Sequence, residues 1–174
     1  MNTKFYLMFH TSVLCLLFLS SCYHLVGSGS SEAGKEIENL AITVLKNKTD
    51  IPEIEIIITD AMVKEFTAFS PKIITDVEHA KAILEGNVFS YNLETVAADE
   101  RDKVLEYRLT IKLEIKLVNV EESNILYQNK DFEGFIDFKV PKDSISRKRE
   151  EEYASRRLAQ KLSKKLVGEI FEGF

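Results

Sequence analysis

The chain has 174 residues, 23 of them basic and 28 acidic, for a formal net charge of −5. An acidic excess of this kind argues against a nucleic-acid binder, whose affinity comes largely from clustered positive charge on phosphates. With 45% apolar residues, 10% aromatics and no tryptophan, the chain can build one domain with a real core and is too short for two comfortable ones.

Lys4 precedes an apolar run from Phe5 to Leu19. Its length is that of a signal-peptide h-region and falls short of the roughly 20 residues a spanning helix needs. Leu19-Ser20-Ser21-Cys22 follows. Small residues directly before a cysteine resemble the bacterial lipobox, which implies lipid on the Cys22 thiol, removal of residues 1–21 and acylation of the new N-terminus. The competing reading is an ordinary secretory signal that happens to be cleaved near a cysteine. Cys15 lies in the h-region and leaves with it, so Cys22 has no mate for a disulfide framework. Acyl chains contribute about 0.8 kcal/mol per buried methylene, and several chains on one residue make the anchor effectively permanent. Tyr23 carries no acidic retention signal, which by resemblance favours the outer membrane.

Residues 22–36 read as the lipidated cysteine and a flexible tether, since Val26 to Glu36 holds three glycines and three serines. Residues 37–174 then form a single α+β domain. Ile37 to Lys46, rich in β-branched and aliphatic residues, predicts a strand, with Asn47 and Lys48 as turn material. Asp50-x-x-Glu53 predicts a capping box and Pro52 a first helical turn. Ile54, Ile58, Ala61, Met62, Phe66 and Phe69 recur at helical spacing, so a helix with one apolar stripe ends before Pro71. That stripe reads as core in preference to a ligand groove. A short extra strand is expected at Ile73 to Thr75.

Ala80 to Tyr91 predicts the next strand, with Gly86 suited to a bulge or a close backbone approach. A charged loop, Ala97 to Val104, leads to the clearest strand. In Tyr107 to Leu117, Tyr107, Leu109, Ile111, Leu113, Ile115 and Leu117 face one way, and Arg108, Thr110, Lys112, Glu114 and Lys116 the other. Glu121 to Asn124 is a turn into Ile125 to Val140, where Phe132, Gly134, Ile136 and Phe138 share a face. After Pro141, Ser144 to Phe171 predicts a helix with an apolar stripe of Leu158, Leu162, Leu166 and Ile170, backed by Tyr153, Ala154 and Val167. Arg156, Arg157, Lys161, Lys164 and Lys165 cover its other side, either as a solvated face or as a surface for anions. The architecture expected is a two-layer α+β sandwich: a mainly antiparallel, mixed four-stranded sheet with two helices on one face.

Catalysis finds little support in these residues. The mature chain keeps His24, beside the anchor, and His79, in a polar connection, and neither has a triad partner. Acylation would remove the Cys22 thiol as a nucleophile. No cluster of His or Cys has metal-ligand spacing, so no cofactor is expected. His79 suits a turn-capping role.

The lipobox, the Cys22-Tyr23-His24-Leu25 start, the strand with Leu84-Glu85-Gly86, the Glu106-Tyr107 strand opening and the helix with Arg156-Arg157-Leu158-Ala159 together resemble the lipopolysaccharide-assembly lipoproteins of the LptE family. Members often carry a glycine after the cysteine, where this chain has Tyr23. The resemblance implies a non-enzymatic outer-membrane lipoprotein that sits inside a large β-barrel partner, plugs its lumen and helps deliver lipopolysaccharide to the outer leaflet. Direct contact with lipopolysaccharide phosphates would need local cations, for which the candidates are Arg101 and Lys103 in the loop and Lys139 and Lys142 around Pro141. Alternatives from other classes are a free-standing lipoprotein binding module and a pilot lipoprotein for a different outer-membrane complex.

Overall fold

The computed structural model describes residues 37–101, 103–141 and 143–173. The expected signal peptide, Cys22, His24, the expected tether and Lys142 lie outside them. The elements run β1 (Leu40–Ile42), β2 (Lys46–Asn47), α1 (Ile54–Phe69), β3 (Ala82–Ala98), β4 (Val104–Asn119), β5 (Ile125–Lys139) and α2 (Ser144–Val167). They form one mixed sheet in the order β1-β3-β4-β5, with β2 also on β3. β1 and β2 are parallel to β3, whereas β3-β4 and β4-β5 are antiparallel. The expected α+β arrangement of two helices over a mixed sheet is what forms.

Several local expectations are corrected. The strand predicted over Ile37 to Lys46 is divided, because Leu45 turns its backbone away from the sheet. Its N–H donates to Thr59 Oγ1 of α1 at 3.1 Å, and its side chain is buried. Thr43 N–H still donates to Leu84 O, at 3.0 Å, and Lys48 N–H resumes the pattern on Val88 O, at 2.8 Å. Ile73 to Thr75 contributes a single parallel bridge, Ile74 to Leu40, and no strand.

The capping box does not form. Glu53 occupies the cap with a left-handed φ of 64° and no side-chain cap bond, while Pro52 lies in the turn before the helix. Asn47 organises this entry instead. Its Oδ1 accepts from Thr49 N–H, and its Nδ2 donates to Ile51 O and to Glu55 Oε2, both at 2.8 Å. These local side-chain bonds compete with a helical start at Asp50. α1 then buries Ile54, Ile58, Met62 and Phe66 as its spacing predicts, and ends as Ser70 N–H donates to Phe66 O.

β3 and β4 are longer than their alternation suggested. Ala97 to Val104 is no open loop, because the strands pair up to Ala98 and Val104. A tight turn remains, fixed by Asp99 Oδ1, which accepts from Arg101 N–H at 2.9 Å and Lys103 N–H at 3.0 Å. An aspartate that bonds its own following amides favours such a turn. Gly86 is a close approach: a Cβ there would lie 2.2 Å from Glu114 O. The bulge comes later, between Val88 and Ser90.

Leu109, Ile111, Leu113, Ile115 and Leu117 are fully buried under the helices. Both helices lie on this face, α1 over β1 to β3 and α2 over β4 and β5. α2 settles closely on β5 because Gly134 has no side chain; a Cβ would meet Leu162 Cδ2 at 2.9 Å. Tyr153 is largely exposed and is no part of the α2 stripe. Past Val167 the helix widens by one turn, Gly168–Glu172, which turns Ile170 and Phe171 inward. Phe171 meets Phe66 edge-on at 5.9 Å and stacks on Phe69 at 4.4 Å. Among the described residues no helix is long and apolar enough to cross a membrane.

Candidate interaction surface

The sheet face opposite the helices carries the polar half of the alternation. Arg108 Nε donates to Asp137 Oδ1 at 2.7 Å and its second nitrogen to Oδ2 at 2.8 Å, while the guanidinium lies 4.3 Å from the Phe135 ring. Lys112 Nζ lies 2.8 Å from Glu133 and 3.3 Å from Asp131. Lys116 reaches Glu85 at 3.7 Å, and Asn87 donates to Glu114. The hydrogen bond from Arg108 holds the Asp137 carboxyl below its usual range, and the bond to Glu133, aided by Asp131, pushes the Lys112 ammonium above its own. The face is therefore largely polar, and its central cations Arg108, Lys112 and Lys116 each have a carboxylate partner.

Arg101 and Lys103 sit in the β3-β4 turn. Lys139 ends β5 opposite Glu106, and Val140 N–H donates to Leu105 O at 2.9 Å. These contacts place all three cations at one end of the sheet. All are exposed, and among the described residues no carboxylate lies within ion-pair distance of them. The nearby acids are partly occupied. Asp99 is bonded by the Lys103 and Arg101 amides, and Asp143 accepts from Ser146 N–H at 2.8 Å as the cap of α2; these bonds depress both carboxyls.

Sequence reasoning missed that the start of α2 returns to this same end. Arg147, Lys148 and Arg149 are exposed there, also without an ion pair among the described residues. The Arg-Lys-Arg run six residues after Pro141 was the available signal. β3, at 17 residues, extends for about 55 Å, while α2, at 24 residues, covers about 36 Å. Tyr91 already meets Glu151 and Ser155 in the first half of α2, and β3 runs seven residues further to Ala98, so the sheet end carrying Arg101 and Lys103 projects beyond the helical layer.

The basic side of α2 is engaged elsewhere. Arg156 pairs with Glu152 and Arg157 with Glu150. Lys161 donates to Phe135 O at 3.2 Å and Lys165 to Glu133 O at 3.3 Å. His79 ends a one-turn helix, Val77–His79, whose cap Asp76 accepts its N–H. A groove of about 1070 Å³ opens between the start of α1 and the first half of α2. On its wall the Tyr91 hydroxyl donates to Glu151 Oε1, with Ser155 Oγ at 3.0 Å, and burial pushes the phenol well above its ordinary range. Among the described residues no group of three or more His, Cys, Asp or Glu is arranged to hold a metal ion.

The family model LptE, described as lipopolysaccharide-assembly, matches residues 37–170. The chain belongs to the LptE family. That membership supports an outer-membrane lipoprotein role of a structural, non-enzymatic kind. The fold is shared with solved structures of low sequence identity. A candidate lipoprotein from Caulobacter crescentus CB15 superposes with a TM-score of 0.57 at 7% identity, covering 79% of this chain and 92% of that one. The hypothetical protein CT253 from Chlamydia trachomatis gives 0.50 at 10% identity, with 78% and 95% covered. No curated protein matches the chain by sequence.

Proposed function

We propose that this LptE-family protein is an outer-membrane lipoprotein that binds and plugs a large β-barrel translocon, supports assembly of that barrel, and assists delivery of lipopolysaccharide to the outer leaflet. The observation that carries the reading is the family match across residues 37–170. The geometry is consistent with it in two respects. A largely polar sheet face whose central cations are paired suits the lumen of a barrel, whose interior residues are polar. At the projecting end Arg101, Lys103 and Lys139, joined by Arg147 to Arg149, are free to meet phosphates through charge-assisted hydrogen bonds. Lys142 belongs to this proposal by position in the chain. Acylation of Cys22 and a tether over residues 22–36 would hold the domain at the partner's membrane and raise its effective concentration there. No catalytic step is part of the role.

The test is gentle detergent extraction of the tagged full-length protein, with mass spectrometry of what accompanies it, run beside an Arg101→Glu/Lys103→Glu/Lys139→Glu variant. One stoichiometric outer-membrane barrel should accompany both proteins, and lipopolysaccharide retained on the complex should fall about tenfold in the variant. Recovery of the wild type alone, or with peptidoglycan fragments, would replace the plug by a free-standing module. Equal lipopolysaccharide on both proteins would remove the sheet end from the reading.

A further inference from the structure

β3 is paired with β4 along its length, but its other side is covered only in part. On that side β1 pairs with Ala82 to Leu84 and β2 with Asn87 and Val88. Lys48 N–H on Val88 O is the last contact. From Phe89 to Ala98 no strand among the described residues lies there. Val88 turns its carbonyl away from β4, and the bulge at Phe89 resets the alternation. Tyr91, Leu93 and Thr95, opposite Ile111, Leu109 and Tyr107, therefore direct their N–H and C=O groups to the open side.

Exposed strand edges are usually guarded by lysine, proline or a covering element. The free edge of β5 has such a guard, since Lys161 and Lys165 reach across from α2 to its carbonyls. Ser90 to Ala98 contains neither lysine nor proline. Beside this edge lies the helical groove, whose apolar lining includes Ile51, Pro52, Ile56, Ile57, Ala61 and the Tyr91 ring.

We propose that the open side of β3 from Tyr91 to Thr95 is a docking site for strand addition, accepting an extended segment of another polypeptide with apolar side chains at alternate positions. Such recognition needs a free backbone ladder and a place for every second side chain, and here both adjoin. The added strand prolongs the line of β2. Its inward residues drop into the groove, and its outward residues lie beside Ser90, Asn92 and Glu94, which suits polar or basic side chains. A second copy of this chain is a poor occupant. In β3-to-β3 pairing the inward residues are Tyr91, already bonded to its own Glu151 and Ser155, and Leu93, packed against its own core. The groove would stay empty. Residues 22–36 are dominated by glycine, serine and charge, and lack the apolar alternation.

The proposal goes beyond the barrel role and stands on backbone geometry, so either can fail without the other. Amide hydrogen exchange on the full-length protein in detergent tests it with the capped heptapeptide KVTVKVT as the probe. Exchange at Tyr91, Leu93 and Thr95 should slow at least about tenfold at saturation. The protection should vanish in Thr95→Pro, which removes an open-side donor without breaking the β3-β4 ladder. It should weaken in Ile57→Asp, inside the groove, and persist in Lys72→Ala, an exposed residue outside it. Unchanged exchange with peptide, protection confined to β5, or peptide-independent protection that rises with protein concentration would each overturn the assignment, the last by showing a self-paired edge.

Discussion

A methyl group added at residue 86 would sit 2.2 Å from a backbone oxygen, that of Glu114. Backbone cannot swing aside as a side chain can, so β3 and β4 would have to part locally. Gly86→Ala should therefore lose about 3 kcal/mol, the upper end of overpacking costs, in denaturant unfolding of the intact protein; an unchanged midpoint would refute the close approach. This position was visible in the sequence because glycine inside a strand pattern has few other uses. The cap of α1 was not. Acid residues ahead of an apolar stripe read as a capping box, and nothing in that pattern announces that the Asn47 side chain will tie up the turn first, leaving Glu53 at a positive φ.

Among the elements, β4 shows the clearest correspondence between alternation and burial. Five alternate residues from Leu109 to Leu117 are buried beneath the helices while Arg108, Lys112 and Lys116 pair on the outer face. Leu113→Asp places an uncompensated carboxylate in the middle of that row, and a penalty of several kcal/mol follows. Loss of the cooperative thermal transition is expected in circular dichroism; a transition at the wild-type temperature would mean that the strand faces the other way. The two helices and the three long strands were legible in type and order because their periodicities are strong, whereas the weakly alternating first strand is divided and Ile73 to Thr75 forms only a bridge. Strand lengths were less legible. The strand expected to end at Tyr91 runs on to Ala98, as Asn92 to Ala98 become sheet by pairing with β4, and only the charged tip of the expected Ala97 to Val104 loop remains a turn. Likewise α2 looked like a helix with a spare basic side, whereas two of those lysines reach the carbonyls of β5, contacts between elements that no single-element pattern can encode.

At the scale of the whole molecule, the titrating groups set a stability window with two limbs. Burial, with Glu151 beside Tyr91 and Glu169 accepting from Tyr127, raises both phenols above the ordinary value of 10.0. The folded state thus favours the neutral form, and this contribution is complete below about pH 10 and is lost at higher pH as the unfolded tyrosines ionise. Asp99, Asp137 and Asp143 are shifted the other way, so their contribution is present above about pH 4 and fades as pH falls through their lowered values. Melting temperature should hold between the limbs and drop on both sides. Tyr91→Phe/Tyr127→Phe should flatten the alkaline side alone; an alkaline fall as steep as that of the wild type would assign it to other groups. The gathering of cations at one sheet end also belongs to this scale. Arg101 is far in the chain from Lys139 and Arg147, and the antiparallel return of β5 and the start of α2 bring them to one end.

The aromatic clasp between the two helices imposes a timetable on how this fold is made. Phe66 and Phe69 are synthesised early and meet their partner, Phe171, only when the last turn of α2 arrives. Until then α1 carries part of its apolar side uncovered, and the chain is an open clamp that a holding chaperone can grip. Completion of the final helical turn brings Phe171 over Phe66 and Phe69, so this apolar surface is withdrawn only once the end of the chain has folded back on α1.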